Sequence, residues 1–250
     1  MPLSAAPATW REDALDSRAA ALLDGGPIVL GFSGGGDSTA LLHTLADLSS
    51  GRGVHALIVD HALRAQSAHE AERAAAIARD VGATADVLRW RAPRNSQARA
   101  RQARHRLLAT KARALGARRL FLAHTLDDQR ETAWMREQRG AGTRGLAAMG
   151  RLAPSPVWPE GRDLMIARPF LDLTRASLRA RLAARGADWV EDPSNADRAY
   201  ERVRVRAALS TLAAPARRAL DARIAAAQAE ETRLRRSAAA LAASAGAPQP

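Results

Sequence analysis

The sequence predicts an α/β fold, a doubly wound parallel sheet with a small C-terminal helical extension. Three observations predict it. Short apolar runs alternate with helix-compatible stretches through the first 145 residues. Such alternation marks βαβ units, whose right-handed crossovers lay helices on both faces of a parallel sheet. A glycine-rich turn follows the first apolar run and opens a helix, the position at which such a sheet receives its ligand. The last part of the chain is rich in Ala, Arg and Glu and holds no strand-like run.

Each element has a local reason. Thr9 and Glu12 have capping-box spacing and open a helix over 9–23, broken by Asp24-Gly25-Gly26-Pro27. Residues 28–32 (IVLGF) read as a short buried strand, and 39–45 as a helix after the glycine turn. A second strand over 54–59 ends at Asp60 and His61, and a helix over 68–81 is closed by Gly82. A third strand over 85–90 precedes a helix over 96–115 that stops at Gly116. A fourth strand over 119–123 ends at His124, and a helix covers 126 to about 139. Residues 140–168, with five glycines and three prolines, read as loops or a short hairpin. A last strand is expected within 164–170, and a helix over 174–185 with Thr174 as N-cap. Asp192-Pro193-Ser194-Asn195 is a turn, and 214–243 forms one or two helices before a frayed tail over 244–250.

Composition sets bounds. Of 38 basic residues among 250, 37 are Arg and Lys111 is the only lysine; the formal net charge is +12. Ala supplies 60 residues, while Leu, Ile, Val and Phe together make about 19%, just under the level at which a charged chain is suspected of disorder. The strand pattern answers that suspicion, because the large apolar residues concentrate in the strands and Ala fills the helix faces. The absence of Cys excludes a disulfide framework, a thiolate nucleophile, an iron–sulfur cluster and Cys-ligated zinc. No apolar run reaches about 18 residues, and the N-terminus lacks a signal-peptide pattern, so no membrane partner and a cytoplasmic location are expected. The Arg excess favours a polyanionic partner, nucleic acid first.

The richest motif is Ser33-Gly34-Gly35-Gly36-Asp37-Ser38. Glycines let a backbone approach an anion, and a helix N-terminus adds unpaired N–H groups and positive dipole. No Lys follows, which removes the Walker A reading, and the spacing is not G-x-G-x-x-G. Asp37 inside an anion cradle is unfavourable unless a Mg²⁺ ion bridges it to phosphate oxygens; the plain alternative makes Asp37 a helix N-cap. A second cluster, His124-Thr125-Leu126-Asp127-Asp128-Gln129-Arg130-Glu131-Thr132, starts where strand four ends, on the same sheet edge as the glycine turn. Asp128 and Glu131 share a helix face, so a metal, a cationic substrate or an Arg must stand between them. Thr125 as N-cap with Asp128 three residues on accounts for Asp127 and Asp128, but not for Glu131 or His124.

The glycine motif resembles the PP-loop of the N-type ATP pyrophosphatases, which split ATP between the α- and β-phosphates and adenylate a substrate. The resemblance implies a PP-loop ATPase fold, like that of the adenine nucleotide alpha hydrolases, with ATP and Mg²⁺ as cofactors. The second cluster, Arg139-Gly140-Ala141-Gly142 and Gly145-Leu146-Ala147-Ala148-Met149 narrow it. So do Val59-Asp60-His61-Ala62-Leu63-Arg64, Ala100-Arg101-Gln102-Ala103-Arg104, Arg168-Pro169-Phe170-Leu171-Asp172 and Trp189-Val190-Glu191-Asp192-Pro193-Ser194-Asn195. In this order, from about Ile28 to Leu209, they resemble the tRNA(Ile)-lysidine synthase family.

That resemblance implies ligation of free L-lysine to C2 of the wobble cytidine of tRNA(Ile) with a CAU anticodon, through an adenylated base. It implies phosphate binding by Ser33, Gly34, Gly35, Gly36, Asp37 and Ser38, with Asp60 and His61 also toward ATP. Asp37 and Asp128 are the metal candidates. Asp128 and Glu131 serve Mg²⁺ or the lysine amine, and His124 stands near the adenylate. Arg101 and Arg104, which share a helix face, are assigned to ATP phosphates or the anticodon. Arg202, Arg204 and Arg206, alternating along the chain, and Asn195 are assigned to substrate. His105 stands where the family often has Tyr, and Val203 where it has Asn. On this reading 1–210 is a PP-loop catalytic domain with 140–210 as a substrate-binding subregion, 211–243 a helical extension and 244–250 a flexible tail.

Between Arg89 and Arg119 lie eleven basic residues and no acidic one, a stretch suited to steering RNA by charge. The rival readings are another PP-loop tRNA-modifying or amidating enzyme, disfavoured by the missing cysteines, and a non-catalytic Arg-rich RNA-binding module. The oligomeric state is left open, a homodimer included.

Overall fold

The computed structural model describes residues 12–62, 66–91, 97–191 and 201–245. In chain order the elements are α1 (Glu12–Ala20), β1 (Ile28–Phe32), α2 (Gly36–Asp47), β2 (Val54–Asp60), α3 (Ser67–Asp80), β3 (Thr84–Arg89), α4 (Gln97–Ala114) and β4 (Arg119–Phe121). They continue with α5 (Leu126–Gln138), α6 (Thr143–Leu146), β5 (Leu152–Pro154), β6 (Met165–Ala167), α7 (Arg175–Ala184), α8 (Glu201–Ser210) and α9 (Ala214–Ala245). Packing divides them into two compact units, one of Met1–His124 with Arg151–Glu191, the other of Thr125–Gly150 with Asp192–Pro250.

The first unit is built on a six-stranded sheet of order β3-β2-β1-β4-β6-β5. All its pairings are parallel except β5 against β6. Successive residues of β1 face opposite sides, and both sides are buried. Ile28, Leu30 and Phe32 join Val54, Ala56 and Ile58 in a core that takes in α2, α3 and α7. Val29 joins Leu57, Leu120 and, from α4, Leu108, Ala109 and Ala112. Burial on both faces is why the strands are continuous apolar runs rather than alternating ones. The fully buried residues of α3 are all Ala, at 71, 74, 75 and 78, with Ile77 packed against the core beside them. Each large strand side chain so buried contributes about 1.5–3 kcal/mol, and the concentration of such residues in β1, β2 and β4 lets an Ala-rich chain fold.

The second unit is helical. Ala133 of α5, Leu209 of α8, and Leu220 and Ile224 of α9 form its core, with Trp134, Leu146, Ala148, Val205 and Leu212 packed against it. The helix α9 needs an apolar partner and finds it in α5, α6 and α8. Residues 214–243 form a single helix. Among the described residues no helix is long and apolar enough to cross a membrane.

Other differences are local. The helix α1 ends at Ala20, short of residue 23, and Thr9 lies outside the described residues. The helix α2 starts at Gly36, not at residue 39, because extended Gly35 (φ −73°, ψ 161°) is its N-cap. Asp37 is therefore in the first turn and is not the cap. Residues Glu201–Ser210, whose arginines alternate along the chain, form the helix α8.

Candidate active site

The strand β1 pairs with β2 on one side and β4 on the other, so the chain reverses its winding direction at the carboxyl end of β1. Ligands of doubly wound sheets sit in the crevice at such a switch point. There the glycine turn links β1 to α2. Gly34 has φ +77°, and a Cβ on it would lie 2.9 Å from Ala74 Cβ, so both conformation and space require glycine. Its carbonyl accepts from Val190 N–H at 2.8 Å. The buried Ser38 hydroxyl donates to Gly35 O at 2.9 Å, stands 3.1 Å from Ser33 Oγ and accepts from Ser33 N–H at 3.3 Å. These bonds fix the turn before any ligand arrives. The cap residue Gly35 supplies no side chain to the N-terminus of α2. A helix start held rigid but left without a side-chain cap suits an anion.

Asp37 is half-buried in this cradle, with Arg175 Nε 3.3 Å from its Oδ2. Arg175, the first residue of α7, lies outside every motif read from the sequence; nothing local marks it. Trp189 also closes on the turn, its ring 3.6 Å from where a Gly36 Cβ would stand.

The same sheet edge gathers the other expected residues of the first unit. Asp60 ends β2, is 3% exposed, and accepts from Ala62 N–H at 2.8 Å, with Arg89 Nε 3.6 Å away. His61 packs edge-on against Trp90 and has a buried Nδ1 without a hydrogen-bond partner. Burial first and Arg104 second lower its pKa, so its ring is neutral at pH 7. His124, just past β4, accepts at Nδ1 from Arg168 Nε at 3.2 Å. An imidazole accepting at Nδ1 carries its proton on Nε2. Arg168 is buried, and desolvation followed by Arg101 lowers its pKa to about 10. His105, buried on α4, has neither nitrogen partnered, and its pKa falls to about 3 through desolvation, Arg104, Arg101 and Arg168 in turn. The expected pair Arg101 and Arg104 thus joins Arg168 around a neutral imidazole, a strongly positive environment at the carboxyl edge of the sheet.

In the second unit the acidic cluster has another character. Thr125 is the N-cap of α5, and Asp128 completes a reciprocal capping box. Asp128 Oδ2 accepts from Thr125 N–H and from Thr125 Oγ1, both at 2.9 Å, while its Oδ1 is 3.6 Å from Arg202 Nη2. Glu131 is 1% exposed, and its two oxygens accept from Arg202 Nε and Arg206 Nε, each at 2.9 Å. An Arg pair answers the like-charge problem that the sequence posed. Because 201–210 is helical, Arg202 and Arg206 share a face four residues apart and Arg204 points elsewhere, exposed. Arg130 forks onto Asp221 with two bonds of 2.7 Å, which holds its pKa up. Gln129, also 1% exposed, exchanges two bonds with the Met149 backbone, at 2.8 and 2.9 Å. Asn195 lies outside the described residues.

The donor set fits Mg²⁺ carried in with nucleotide. Among the described residues no group of three or more His, Asp or Glu gathers to hold a metal alone. Mg²⁺ is usually held by one or two carboxylates plus substrate phosphates, and Asp37 at an uncapped helix start offers that arrangement.

Comparison with known proteins agrees with this geometry. The chain is 48% identical over 187 residues to a tRNA(Ile)-lysidine synthase of Caulobacter vibrioides, covering 73% of this chain and 45% of that one. It is 45% identical over 226 residues to a tRNA(Ile)-lysidine synthase of Methylobacterium nodulans, covering 89% and 63%. The chain spans about half the length of the first of the curated relatives it matches. Among solved structures, the U34-tRNA thiolase NcsA of Methanococcus maripaludis, with its 4Fe–4S cluster, superposes with a TM-score of 0.70 at 13% identity, over 86% of this chain and 77% of that one. That likeness concerns the fold alone. The profile of the PP-loop domain family matches residues 12–213, and with the glycine turn at the switch point of a doubly wound sheet, this chain belongs to that family.

Proposed function

We propose that the chain is a tRNA(Ile)-lysidine synthase. It transfers AMP from ATP to the C2 oxygen of the wobble cytidine in a CAU anticodon, releasing pyrophosphate. The ε-amine of free L-lysine then forms a bond to C2 and AMP leaves with the oxygen. The carrying observation is the rigid, uncapped start of α2 with Asp37 inside it. The names of the relatives support the choice of substrate. On this reading the protein works in the cytoplasm, where ATP, lysine and tRNA occur together.

The roles follow from chemistry. Ser33 to Ser38 receive the phosphates on backbone N–H groups and the helix dipole. Asp37 would hold Mg²⁺, which when bound offsets the charge on the departing pyrophosphate. Asp60 and His61 border the nucleotide. Arg101 and Arg104 answer phosphate charge, of ATP or of the anticodon. His124, neutral with its proton on Nε2, donates to the adenylate. In the second unit Asp128 and Glu131 are the carboxylates assigned to the lysine ammonium. Glu131 already serves Arg202 and Arg206, so Asp128 is the better candidate. Arg204 and Asn195 contact RNA, with Arg202 and Arg206 acting first through Glu131.

The test is transfer of labelled lysine to a tRNA(Ile) transcript with a CAU anticodon, with AMP and lysine counted together. One AMP per lysine incorporated is expected. AMP without lysine incorporation points to another PP-loop reaction. RNA binding with neither product points to a non-catalytic module.

A further inference from the structure

We propose that the chain holds a second RNA contact at the sheet edge opposite the glycine turn, where an unpaired nucleotide stacks on Trp158 and adjacent phosphates meet an arginine stripe on α4. The proposal rests on the reading of tRNA as substrate and names a surface that reading does not require.

Trp158 is 69% exposed, an unusual position for the largest apolar side chain. It is not a loose residue. The loop between β5 and β6 is anchored in the core by Val157 and Leu164. Ser155 N–H bonds Leu164 O at 2.9 Å, Gly161 N–H bonds Val157 O at 3.2 Å, and Leu164 N–H bonds Gly161 O at 3.1 Å. Any side chain at 161 would collide with Ser155, so the loop closes only with glycine there. The Arg162 guanidinium stands 6.0 Å from the centre of the Trp158 ring. The result is an exposed aromatic ring on an anchored loop, with a cation over one face and the other face left for an unpaired base to stack on.

The neighbouring helix supplies phosphate contacts. Arg99, Arg106 and Arg113 of α4 are exposed and lie seven residues apart, which places them on one face at intervals of about 10 Å. The stripe begins near the carboxyl edge of the sheet and ends where α4 leads into β4, beside the Trp158 loop. Arg106 Nε is 3.5 Å from Glu160 Oε1, which fixes helix and loop together. Between them Thr110, Arg113, Ala114, Pro159 and Glu160 line a shallow, open depression of about 450 Å³. Two carboxylates face the patch, Glu160 and, 3.3 Å from Arg162, Asp163. They pair with Arg106 and Arg162, and the patch keeps a surplus of positive charge from Arg99 and Arg113.

The experiment measures the affinity of the tRNA(Ile) transcript by fluorescence anisotropy for the wild type, Trp158→Ala, Trp158→Phe and Arg113→Ala, across a salt series. Trp158→Ala should bind about tenfold more weakly, with the KM for tRNA rising in step and kcat and melting temperature unchanged. Trp158→Phe should recover most of the loss. Arg113→Ala should flatten the salt slope by about one, which Trp158→Ala leaves alone. Wild-type affinity in Trp158→Ala, with lysine transfer intact, overturns this proposal and leaves the ligase reading standing. A change of oligomeric state in Trp158→Ala with no change in RNA affinity overturns it in favour of a protein contact. Failure of the wild type to bind tRNA overturns both.

Discussion

Two helices of this chain each follow a strand of the sheet in sequence, α2 after β1 and α5 after β4, and they treat their first turns in opposite ways. The helix α2 starts on Gly35, without a side-chain cap, after a turn braced by serine hydroxyls. The helix α5 starts on Thr125, capped reciprocally by Asp128. Both carry acidic residues in the first turn, so sequence alone makes them look alike. In α5 the acid satisfies the helix itself. In α2 the acid is paired with Arg175 from α7, and the cap residue puts no side chain on the helix N–H groups. A capped helix start has no N–H groups to spare for an anion, and one held open has.

The comparison is broken most severely at Glu131. Its buried carboxylate holds two guanidiniums, each about a third exposed, and removing it takes away two charge-assisted hydrogen bonds. Glu131→Ala should therefore cost roughly 2–3 kcal/mol by urea unfolding. A cost below about 1 kcal/mol would make Glu131 a ligand-binding residue held only incidentally by Arg202 and Arg206.

Acid should act on the first unit through His105. Its folded pKa, about 3, is below the unfolded value of 6.5, so the unfolded chain binds the proton first as pH falls. The stability contributed by the neutral ring is complete above pH 6.5 and is lost downward through that window at about 1.4 kcal/mol per pH unit. Urea unfolding of the wild type should weaken by about 2 kcal/mol between pH 6.5 and 5 from this group. His105→Tyr should lack that component. Equal acid sensitivity in both proteins would show that His105 takes up a proton when folded.

The smallest effect is at the capped helix. Thr125→Ala should cost about 1 kcal/mol in unfolding free energy, the usual worth of an N-cap. Gly35→Ala, at a helix start with no side-chain cap to lose, should cost less in stability than it costs in ATP affinity.

The sheet was legible because buried strands need unbroken apolar runs, and 28–32 and 54–59 supply them. The glycine turn was legible because no other residue type fits Gly34. The capping box was legible from Thr125 and Asp128 alone. The partners were not. Arg175 reaches Asp37 across well over a hundred residues, and no local pattern encodes such a distance. Arg202, Arg204 and Arg206 alternate in sequence and are assigned together to substrate on the resemblance. Helical geometry separates Arg204 from the other two and turns those onto Glu131. Arg168 was visible as part of a motif, but its hold on His124 Nδ1 depends on β6 lying beside β4.

The most direct test of the open helix start is the fate of ATP labelled at the α-phosphate, in the presence of the CAU tRNA(Ile) transcript and lysine, for wild type and Asp37→Ala. The account predicts AMP and pyrophosphate from the wild type, and a rate lower by about 10²–10³-fold in Asp37→Ala at unchanged melting temperature. Cleavage to ADP and phosphate, or undiminished AMP production by Asp37→Ala, would contradict it.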